Sequence, residues 1–291
     1  IIAIAVSSNL QGAATLVGDT TSILLGGYAG MNFLDFFVYQ GRPSIFFAVE
    51  LGAIISAGIL YILFREENAK LPKAEKTEVT DYVPSALLLL MIVLLICASF
   101  IPDAPDISNG VICITLMIIG GIYESVRKGA IKGIIDPIKE IDFTTIGLLF
   151  GLFLVIGGIT EQGVIDALAG IFTKLAGDDL FVIYSLILWA SVLFSAFIDN
   201  IPYVATMLPV VQSIALSMGV EPTVLYFGLL SGATLGGNMT PIGASANIAG
   251  IGILRKAGFE VKNSDFFRIG IPFTLAAVIP AYIYIWMIYG I

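Results

Sequence analysis

The sequence predicts an all-α, polytopic membrane protein, and composition is the first reason. Hydrophobic residues make up 58% of the 291 residues and charged residues only 12%, whereas a soluble domain carries about a quarter charged residues. Six apolar runs are each long enough, as helices, to cross roughly 30 Å of hydrocarbon. They cover residues 44–64, 84–101, 109–126, 143–160, 181–198 and 269–289.

Residue types that are rare or missing narrow the chemistry. The 291 residues include no histidine, which excludes histidine metal ligands, general bases and proton relays from this chain. Cys97 and Cys113 lie inside apolar runs, so we expect two small core residues and no disulfide. The first residue is Ile1 and no signal-peptide pattern follows it. We therefore expect an N-terminal part of the protein to be missing from this chain.

The basic residues predict the orientation of the chain in the bilayer. Twelve of the 14 lysines and arginines fall in three loops. By the positive-inside tendency these loops face the cytoplasm. The loops hold Arg65, Lys70, Lys73 and Lys76; Arg127, Lys128, Lys132 and Lys139; and Arg255, Lys256, Lys262 and Arg268. Residues 65–83 include the only long polar stretch and are predicted to be a cytoplasmic linker.

An internal repeat divides the chain on either side of this linker. Residues 12–23 (GAATLVGDTTSI) align without gaps on residues 237–248 (GNMTPIGASANI), with Gly, Thr, Gly and Ile at the same four offsets. The loop after the first copy (24–43) has one basic residue, and the loop after the second (255–268) has four. Corresponding loops are therefore predicted on opposite faces, as in inverted-topology repeats. Residues 1–64 would end the N-terminal repeat, and residues 84–291 would form the C-terminal one.

Both copies of the repeat interrupt apolar segments with glycine and small polar residues. Unpaired backbone is tolerated at membrane depth only where protein or a water-filled cavity surrounds it. We therefore predict half-helices at residues 1–8 and 20–27, and a second broken helix over about residues 223–254. The other interpretation is that these glycines allow close packing between ordinary helices.

A third interruption lies at Asp199-Asn200, between apolar arms that together cover about residues 181–218. It is either the tip of a re-entrant helical hairpin or a surface turn between two full spans, and counting basic residues does not separate the two. An acid at membrane depth is a functional candidate. The last span is predicted at residues 269–290.

If the three interruptions meet, helix N-termini near Pro202, Thr20 and Ser245 point into one cavity with their partial positive charge. Helix C-termini near Ser8, Ile198 and Leu235 would present bare carbonyls that suit a cation. Such a set can hold a small anion beside Na⁺ or H⁺. It contains no Ser/His or Cys/His pair and no GxxxxGK loop, so we expect neither an enzyme nor an ATP-driven pump.

Residues 12–23, 197–209 (FIDNIPYVATMLP) and 236–250 (GGNMTPIGASANIAG) resemble the ion transporter superfamily. The branch they look most like is that of arsenite permeases and NhaD-type Na⁺/H⁺ antiporters, with sodium–dicarboxylate symporters more distant. The resemblance runs along essentially the whole chain. It implies inverted repeats, each with a re-entrant hairpin and a broken helix, and a homodimer that works as an elevator. Permease relatives follow the Gly-Asp pair with Pro-Pro-Asn, whereas this chain has Thr20-Thr21-Ser22, nearer the antiporter pattern.

The polar and small residues at the breaks, together with the positions carried over from the resemblance, give a set of substrate- and ion-binding candidates. Four of them would hold Na⁺: Asp199, Asn200, Asn238 and Thr240. The full set is Asn9, Gly12, Thr15, Gly18, Asp19, Thr20, Ser22, Asp199, Asn200, Pro202, Gly237, Asn238, Thr240, Gly243, Ser245 and Asn247. No cofactor beyond Na⁺ or H⁺ as coupling ion is expected, and nothing predicts a nucleic-acid partner.

Three functions remain open from the sequence. The first is a cation-coupled transporter of a small anion, either an inorganic oxyanion, an arsenite-like species or a carboxylate. The second is a Na⁺/H⁺ antiporter in which Asp19 and Asp199 bind the two cations in turn. The third is a passive channel, which paired broken helices over a closed site disfavour. The predicted setting is a bacterial or archaeal plasma membrane.

Overall fold

The computed structural model describes residues 1–66, 80–101, 105, 107–129, 135, 138, 139, 141, 143–177 and 179–291. The chain forms two compact units, one made of Ile1–Glu67 with Gly151–Ile291 and the other of Asn68–Phe150. Most of the predicted linker, residues 67–79, lies outside the described residues. The division into repeats and linker therefore stays a prediction.

The first unit begins with a helix pair that is broken in the middle. α1 covers Ile2–Gly12 and α2 covers Thr20–Ala29. α2 begins where the Asp19 side chain accepts a hydrogen bond from the Thr20 amide, and it ends at Gly30, whose φ of 65° is left-handed. A 3-10 turn (Leu34–Phe36) and a short antiparallel hairpin of β1 (Val38–Tyr39) and β2 (Arg42–Pro43) lead into α3 (Ile45–Phe64).

The second unit contains α4 (Val83–Ala98) and α5 (Ser108–Lys128), and α6 (Phe143–Glu161) crosses from this unit into the first. α4 carries a proline in its first turn, where the missing N–H is not needed. Within this unit, Asp81 forms an ion pair with Arg127 and accepts a hydrogen bond from the Tyr123 hydroxyl at 3.3 Å.

The rest of the first unit carries the other two interruptions. α7 (Val164–Ala176) follows α6 after a bend of 73°, at Gly163, whose φ of 72° is left-handed. α8 (Leu180–Ser195) and α9 (Asn200–Met218) form the predicted hairpin arms. α10 (Thr223–Gly236), a 3-10 turn (Gly237–Met239) and α11 (Ser245–Lys256) form the second broken helix, and α12 covers Asn263–Tyr289.

The helices are long and apolar enough to confirm the all-α polytopic class. Within the described residues, four helices could each cross a membrane: Ile45–Phe64, Ser108–Arg127, Asn200–Met218 and Asn263–Tyr289. The bent pair Ile146–Glu161 and Val164–Leu175 could make a fifth. Large apolar side chains such as Ile54, Leu89 and Phe150 lie exposed on these helices, where a soluble protein would carry polar ones.

Helix ends differ from the sequence-based prediction by a few residues. α1 continues four residues past the predicted end near Ser8, because Asn9, Leu10 and Gln11 fit a helix and the Leu10 side chain is buried. α8 ends at Ser195 rather than near Ile198. α9 begins at Asn200, where the Asp199 side chain accepts a hydrogen bond from the Ile201 amide, so the helix starts before Pro202.

Candidate functional site

A cavity of about 150 Å³ in the first unit lies where the three interruptions meet. The C-terminal part of α1 and the segment after it form one wall. The N-termini of α2, α9 and α11 form the others. The lining residues are Ser8, Asn9, Gly12, Gly18, Asp19, Asp199, Asn200, Ile201, Ser245 and Ala246. The prediction that three helix N-termini share one cavity therefore agrees with the geometry.

Both carboxylates that line the cavity also cap a helix. Asp19 Oδ1 accepts from the Thr20 amide at 2.7 Å, and its Oδ2 accepts from the Thr21 hydroxyl at 3.1 Å. Asp199 Oδ1 accepts from the Ile201 amide at 3.0 Å. These bonds fix the carboxylates at the positive ends of α2 and α9, and each carboxylate keeps lone pairs free for a cation.

The third N-terminus is different because it has no carboxylate of its own. Ala244 occupies the cap position of α11 and offers no side-chain bond. The Ser245 hydroxyl instead donates across the cavity to Asp199 Oδ2 at 3.2 Å. This contact ties the start of α11 to the start of α9.

A chain of asparagine amides connects the hairpin tip to both broken helices. Asn200 Nδ2 donates to Asn9 Oδ1 at 3.5 Å, and Asn9 Nδ2 donates to Asn238 Oδ1 at 3.1 Å. Asn238 Nδ2 in turn donates to the Val6 carbonyl at 2.9 Å. Asn200 and Asn238 are buried, so each amide depends on its neighbours for hydrogen bonds.

Polar groups at the turn between α8 and α9 bond to the second broken helix, whereas Phe197 and Ile198 of the same turn are exposed. Ser195 Oγ donates to Asn200 Oδ1 at 3.1 Å and to the Ala233 carbonyl at 2.6 Å. The Thr240 hydroxyl donates to the Ala196 carbonyl. Ser195 and Thr240 are buried together with Asn200. The choice between a re-entrant hairpin and a surface turn stays a prediction, because α9 is also long enough to cross a membrane.

Corresponding hydrogen bonds occur in the two copies of the repeat. Ser22 Oγ donates to the Gly12 carbonyl at 3.0 Å, and Asn247 Nδ2 donates to the Gly237 carbonyl at 3.0 Å. The gapless alignment of the two copies pairs Ser22 with Asn247 and Gly12 with Gly237. Both bonds therefore close the same turn, which supports the repeat independently of residue identity.

Glycines let the unwound segments pack backbone on backbone. A Cβ at Gly18 would lie 2.5 Å from the Gly12 carbonyl oxygen, and one at Gly243 would lie 2.6 Å from the Gly237 carbonyl oxygen. A Cβ at Gly237 would lie 2.6 Å from Asn200 Oδ1. A larger residue at any of the three would push these segments apart.

The predicted site residues fall into two groups. Seven line the cavity: Asn9, Gly12, Gly18, Asp19, Asp199, Asn200 and Ser245. The others support it from behind or lie in its helices: Thr15, Thr20, Ser22, Pro202, Gly237, Asn238, Thr240, Gly243 and Asn247. Of the four predicted Na⁺ ligands, Asp199 and Asn200 line the cavity. Asn238 does not line it but accepts a hydrogen bond from Asn9, which does.

Sequence reasoning missed several residues that complete the site. Ile201 and Ala246 line the cavity, as does Ser8, which was predicted only as a helix end that offers its carbonyl. Ser195 holds the Asn200 amide. Thr234 bonds with Thr21 through their hydroxyls at 3.0 Å, and its carbonyl accepts from Asn9 Nδ2 at 2.7 Å. Ser195 and Thr234 could have been predicted, because each is a serine or threonine that lies one helical turn from a break. A buried hydroxyl inside an apolar helix needs a hydrogen-bond partner.

Comparison with known proteins places the chain in a family. It matches the family described as "Citrate transporter" over residues 1–232 and again over residues 111–291. The chain belongs to the citrate transporter family, a member of the ion transporter superfamily. The broad resemblance to that superfamily is thereby confirmed.

The chain is also similar to individual proteins, among them transporters and a membrane protein of mycobacteria. A protein of Mycobacterium tuberculosis named an uncharacterized transporter is 30% identical over 97% of this chain and 66% of the relative. The 46 kDa membrane protein of Mycobacterium leprae is 31% identical over the same shares. The human P protein is 32% identical over 46% of this chain and 17% of the relative.

This member of the citrate transporter family thus spans 66% of the length of the mycobacterial relatives. Membership and the apolar helices establish a multi-pass integral membrane protein. The bacterial relatives indicate the plasma membrane.

Proposed function

We propose that the protein is a secondary active transporter that couples Na⁺ or H⁺ to the movement of a small anion, in the first place a citrate-like carboxylate. The observation that carries the proposal is the cavity where two carboxylates, three helix N-termini and an amide chain converge. The carboxylate as cargo comes from the family description. Inorganic oxyanions and arsenite-like species are the other anions to test.

The charges around the cavity support cation binding first. Two carboxylates contribute two negative charges, whereas each helix N-terminus contributes about half a positive charge. Three N-termini therefore do not neutralise Asp19 and Asp199. An anion would be repelled until one or more cations had bound, so the order of binding would be cation and then anion.

The anion has a defined place once a cation is present. Ser245 and Ala246 begin α11 and line the cavity, and α11 has no capping carboxylate. The first N–H groups of a helix are an anion-binding site when no side chain fills them. A substrate carboxylate would bind there, beside a cation held by Asp199 and the Asn200 amide oxygen.

Movement of this site across the bilayer would follow the elevator scheme of the resemblance. The amide chain Asn200–Asn9–Asn238 joins the hairpin tip to both broken helices, so the three would travel as one body. We also propose that the protein forms a homodimer. Within the ion transporter superfamily, we propose that it is related to the branch of arsenite permeases and NhaD-type antiporters.

The test uses the protein expressed from its complete gene and reconstituted in liposomes. Uptake of labelled citrate is measured with an inward Na⁺ gradient, an inward H⁺ gradient, or neither. Uptake that requires one of the two cations, and that Asp199→Asn abolishes, supports the proposal. Equal uptake without any cation gradient would refute coupling. If citrate does not move, the same assay screens dicarboxylates, phosphate-like oxyanions and arsenite.

A second candidate, a Na⁺/H⁺ antiporter, is favoured by one observation. Asp19 and Asp199 line the same cavity, and without histidine these carboxylates are the cavity's proton carriers. A pH dye inside the liposomes separates the two functions. A Na⁺-driven change of internal pH with no anion present, lost in Asp19→Asn, would assign antiport and displace the first proposal.

A further inference from the structure

A second cavity, of about 210 Å³, opens at the far end of the helices that form the transport cavity. Tyr28 lies nine residues after Asp19 along the same stretch of chain, about 14 Å of helix rise away. The walls of this second cavity come from the end of α2, the strand β1, the later part of α9 and the start of α10. They include Tyr28, Tyr39, Gln212, Glu221, Tyr226 and Phe227.

Two edge-to-face pairs of aromatic rings line this cavity. The Tyr28 and Tyr226 rings lie 6.2 Å apart at 82°, and the Tyr39 and Phe227 rings lie 6.1 Å apart at 66°. A cation within about 6 Å of several ring centroids is attracted by each ring, and quaternary ammonium groups are bound in cages of this kind.

The Glu221 carboxylate lines the cavity and has one oxygen without a hydrogen-bond donor. Gln40 Nε2 and Thr223 Oγ1 both donate to Glu221 Oε1, at 3.0 and 3.1 Å. Oε2 of Glu221 has no hydrogen-bond donor among the described residues. No lysine or arginine lines the cavity. The exposed Glu221 carboxylate lies beside the N-terminus of α10, whose partial positive charge offsets it only in part, so the wall keeps a net negative charge that favours a cation.

The residue that holds Glu221 is itself in an unusual conformation. Gln40 has a φ of 52°, the only positive φ at a residue other than glycine in the described part of the chain. It occupies the first central position of the two-residue turn between β1 and β2, with Gly41 (φ 73°) second. Such turns favour Asn or Gly at this position, and from this left-handed conformation the Gln40 amide donates to Glu221.

We propose that this cavity, bounded by Tyr28, Tyr39, Tyr226 and Glu221, is a binding site for a small organic ammonium ion. The rings would surround the apolar methyl or methylene groups, and Glu221 Oε2 would face the charge. Such a guest fits the two features together, whereas an inorganic cation would gain little from apolar ring faces. The site is separate from the proposed transport cavity and does not depend on the transport proposal.

The test measures choline binding to the purified protein by isothermal titration calorimetry, with 3,3-dimethyl-1-butanol as the neutral analogue of the same shape. We expect saturable binding of choline and none of the alcohol. Tyr28→Leu removes one ring and should weaken choline binding roughly two- to thirtyfold, the range that one cation–π contact supports. Tyr28→Phe keeps the ring and should bind within about twofold of the wild type.

Controls make each outcome informative. Tyr28 is 45% exposed and Tyr61, on α3, is 76% exposed, so Tyr61→Leu matches the composition change away from the cavity and should leave binding unchanged. Glu221→Gln should weaken choline binding but leave the fold intact, because its Oε1 acceptor is retained. Equal binding of the alcohol, displacement of choline by equimolar Na⁺, or no saturable binding would each overturn the proposal.

Discussion

Two glycines at equivalent repeat positions should be intolerant of a single methyl group. A Cβ at Gly243 would lie 2.6 Å from the Gly237 carbonyl oxygen and 2.8 Å from the Ala196 and Ser195 carbonyl oxygens. A Cβ at Gly18 would lie 2.5 Å from the Gly12 carbonyl oxygen. All of these neighbours are backbone atoms, so no side chain can rotate away. Overpacking of this kind costs about 1–3 kcal/mol.

The chain contains a matched control pair for these substitutions. Gly27 and Gly252 are equivalent to each other in the same repeat alignment, and a Cβ at either position would meet nothing within 4 Å. Because both lie inside helices, alanine there should stabilise by about 0.5–1 kcal/mol. The two pairs are therefore expected to differ by roughly 1.5–4 kcal/mol.

The assay is thermal unfolding of the purified protein in detergent, followed by the transport assay on variants that remain folded. Gly18→Ala and Gly243→Ala should unfold several degrees below the wild type, and Gly27→Ala and Gly252→Ala at or above it. For Gly243→Ala, we expect the transport rate to fall by more than the loss of thermal stability explains, because the new methyl group separates the hairpin tip from the unwound segment. Wild-type stability and transport in Gly243→Ala would refute the close packing described for this site.

Three further predictions concern side chains. Asp199→Asn should keep the helix cap and the free energy of unfolding while transport is lost, whereas Asp199→Ala should also lose about 1 kcal/mol of stability; equal stability of the two variants would contradict the capping role. Asn247→Ala removes two buried hydrogen bonds and should lower the unfolding temperature more than Ser22→Ala, which removes one. Tyr184→Phe loses the bond to the Tyr282 carbonyl and should cost about 1 kcal/mol, detectable by thermal unfolding.

The position of the breaks could be predicted from sequence because lipid tolerates few alternatives. Glycine and small polar residues between apolar segments, as at Gly12–Asp19 and Gly237–Ala244, leave backbone groups that must be covered by protein. The repeat strengthened that prediction, since both copies break at the same offset. The helix ends themselves were off by up to six residues: α12 begins at Asn263 and not at residue 269, and buried contacts such as that of Leu10 extend α1 beyond its local signal.

The internal bonding of the site could not be predicted in the same way. Asn247 is predicted to bind substrate or ion, and this stays a prediction: its Nδ2 donates to the carbonyls of Gly237 and Thr240 at 3.0 Å each, whereas its buried Oδ1 has no hydrogen-bond partner among the described residues. A small rotation of a helix about its own axis, smaller than the angle between successive residues, decides whether a polar side chain faces a cavity or bonds to a nearby carbonyl. A sequence pattern does not fix the helix orientation that closely. The 73° bend before α7 could not be predicted from sequence either. Gly163 is the one sequence feature that marks it, and a glycine in an apolar sequence is compatible with a straight span.

One contact defines how the two copies of the repeat face each other. In the repeat alignment Asn9 is equivalent to Thr234, and Asn9 Nδ2 donates to the Thr234 carbonyl at 2.7 Å. When equivalent residues contact each other, the axis that relates the copies passes between them. The copies nevertheless differ at the cap: Asp19 begins α2, and the equivalent Ala244 begins α11. Because the backbone geometry is shared and only one copy carries a charge at the cap, the two helix starts differ in charge. Under the proposed function, the Asp19 end would suit a cation and the Ala244 end would suit an anion.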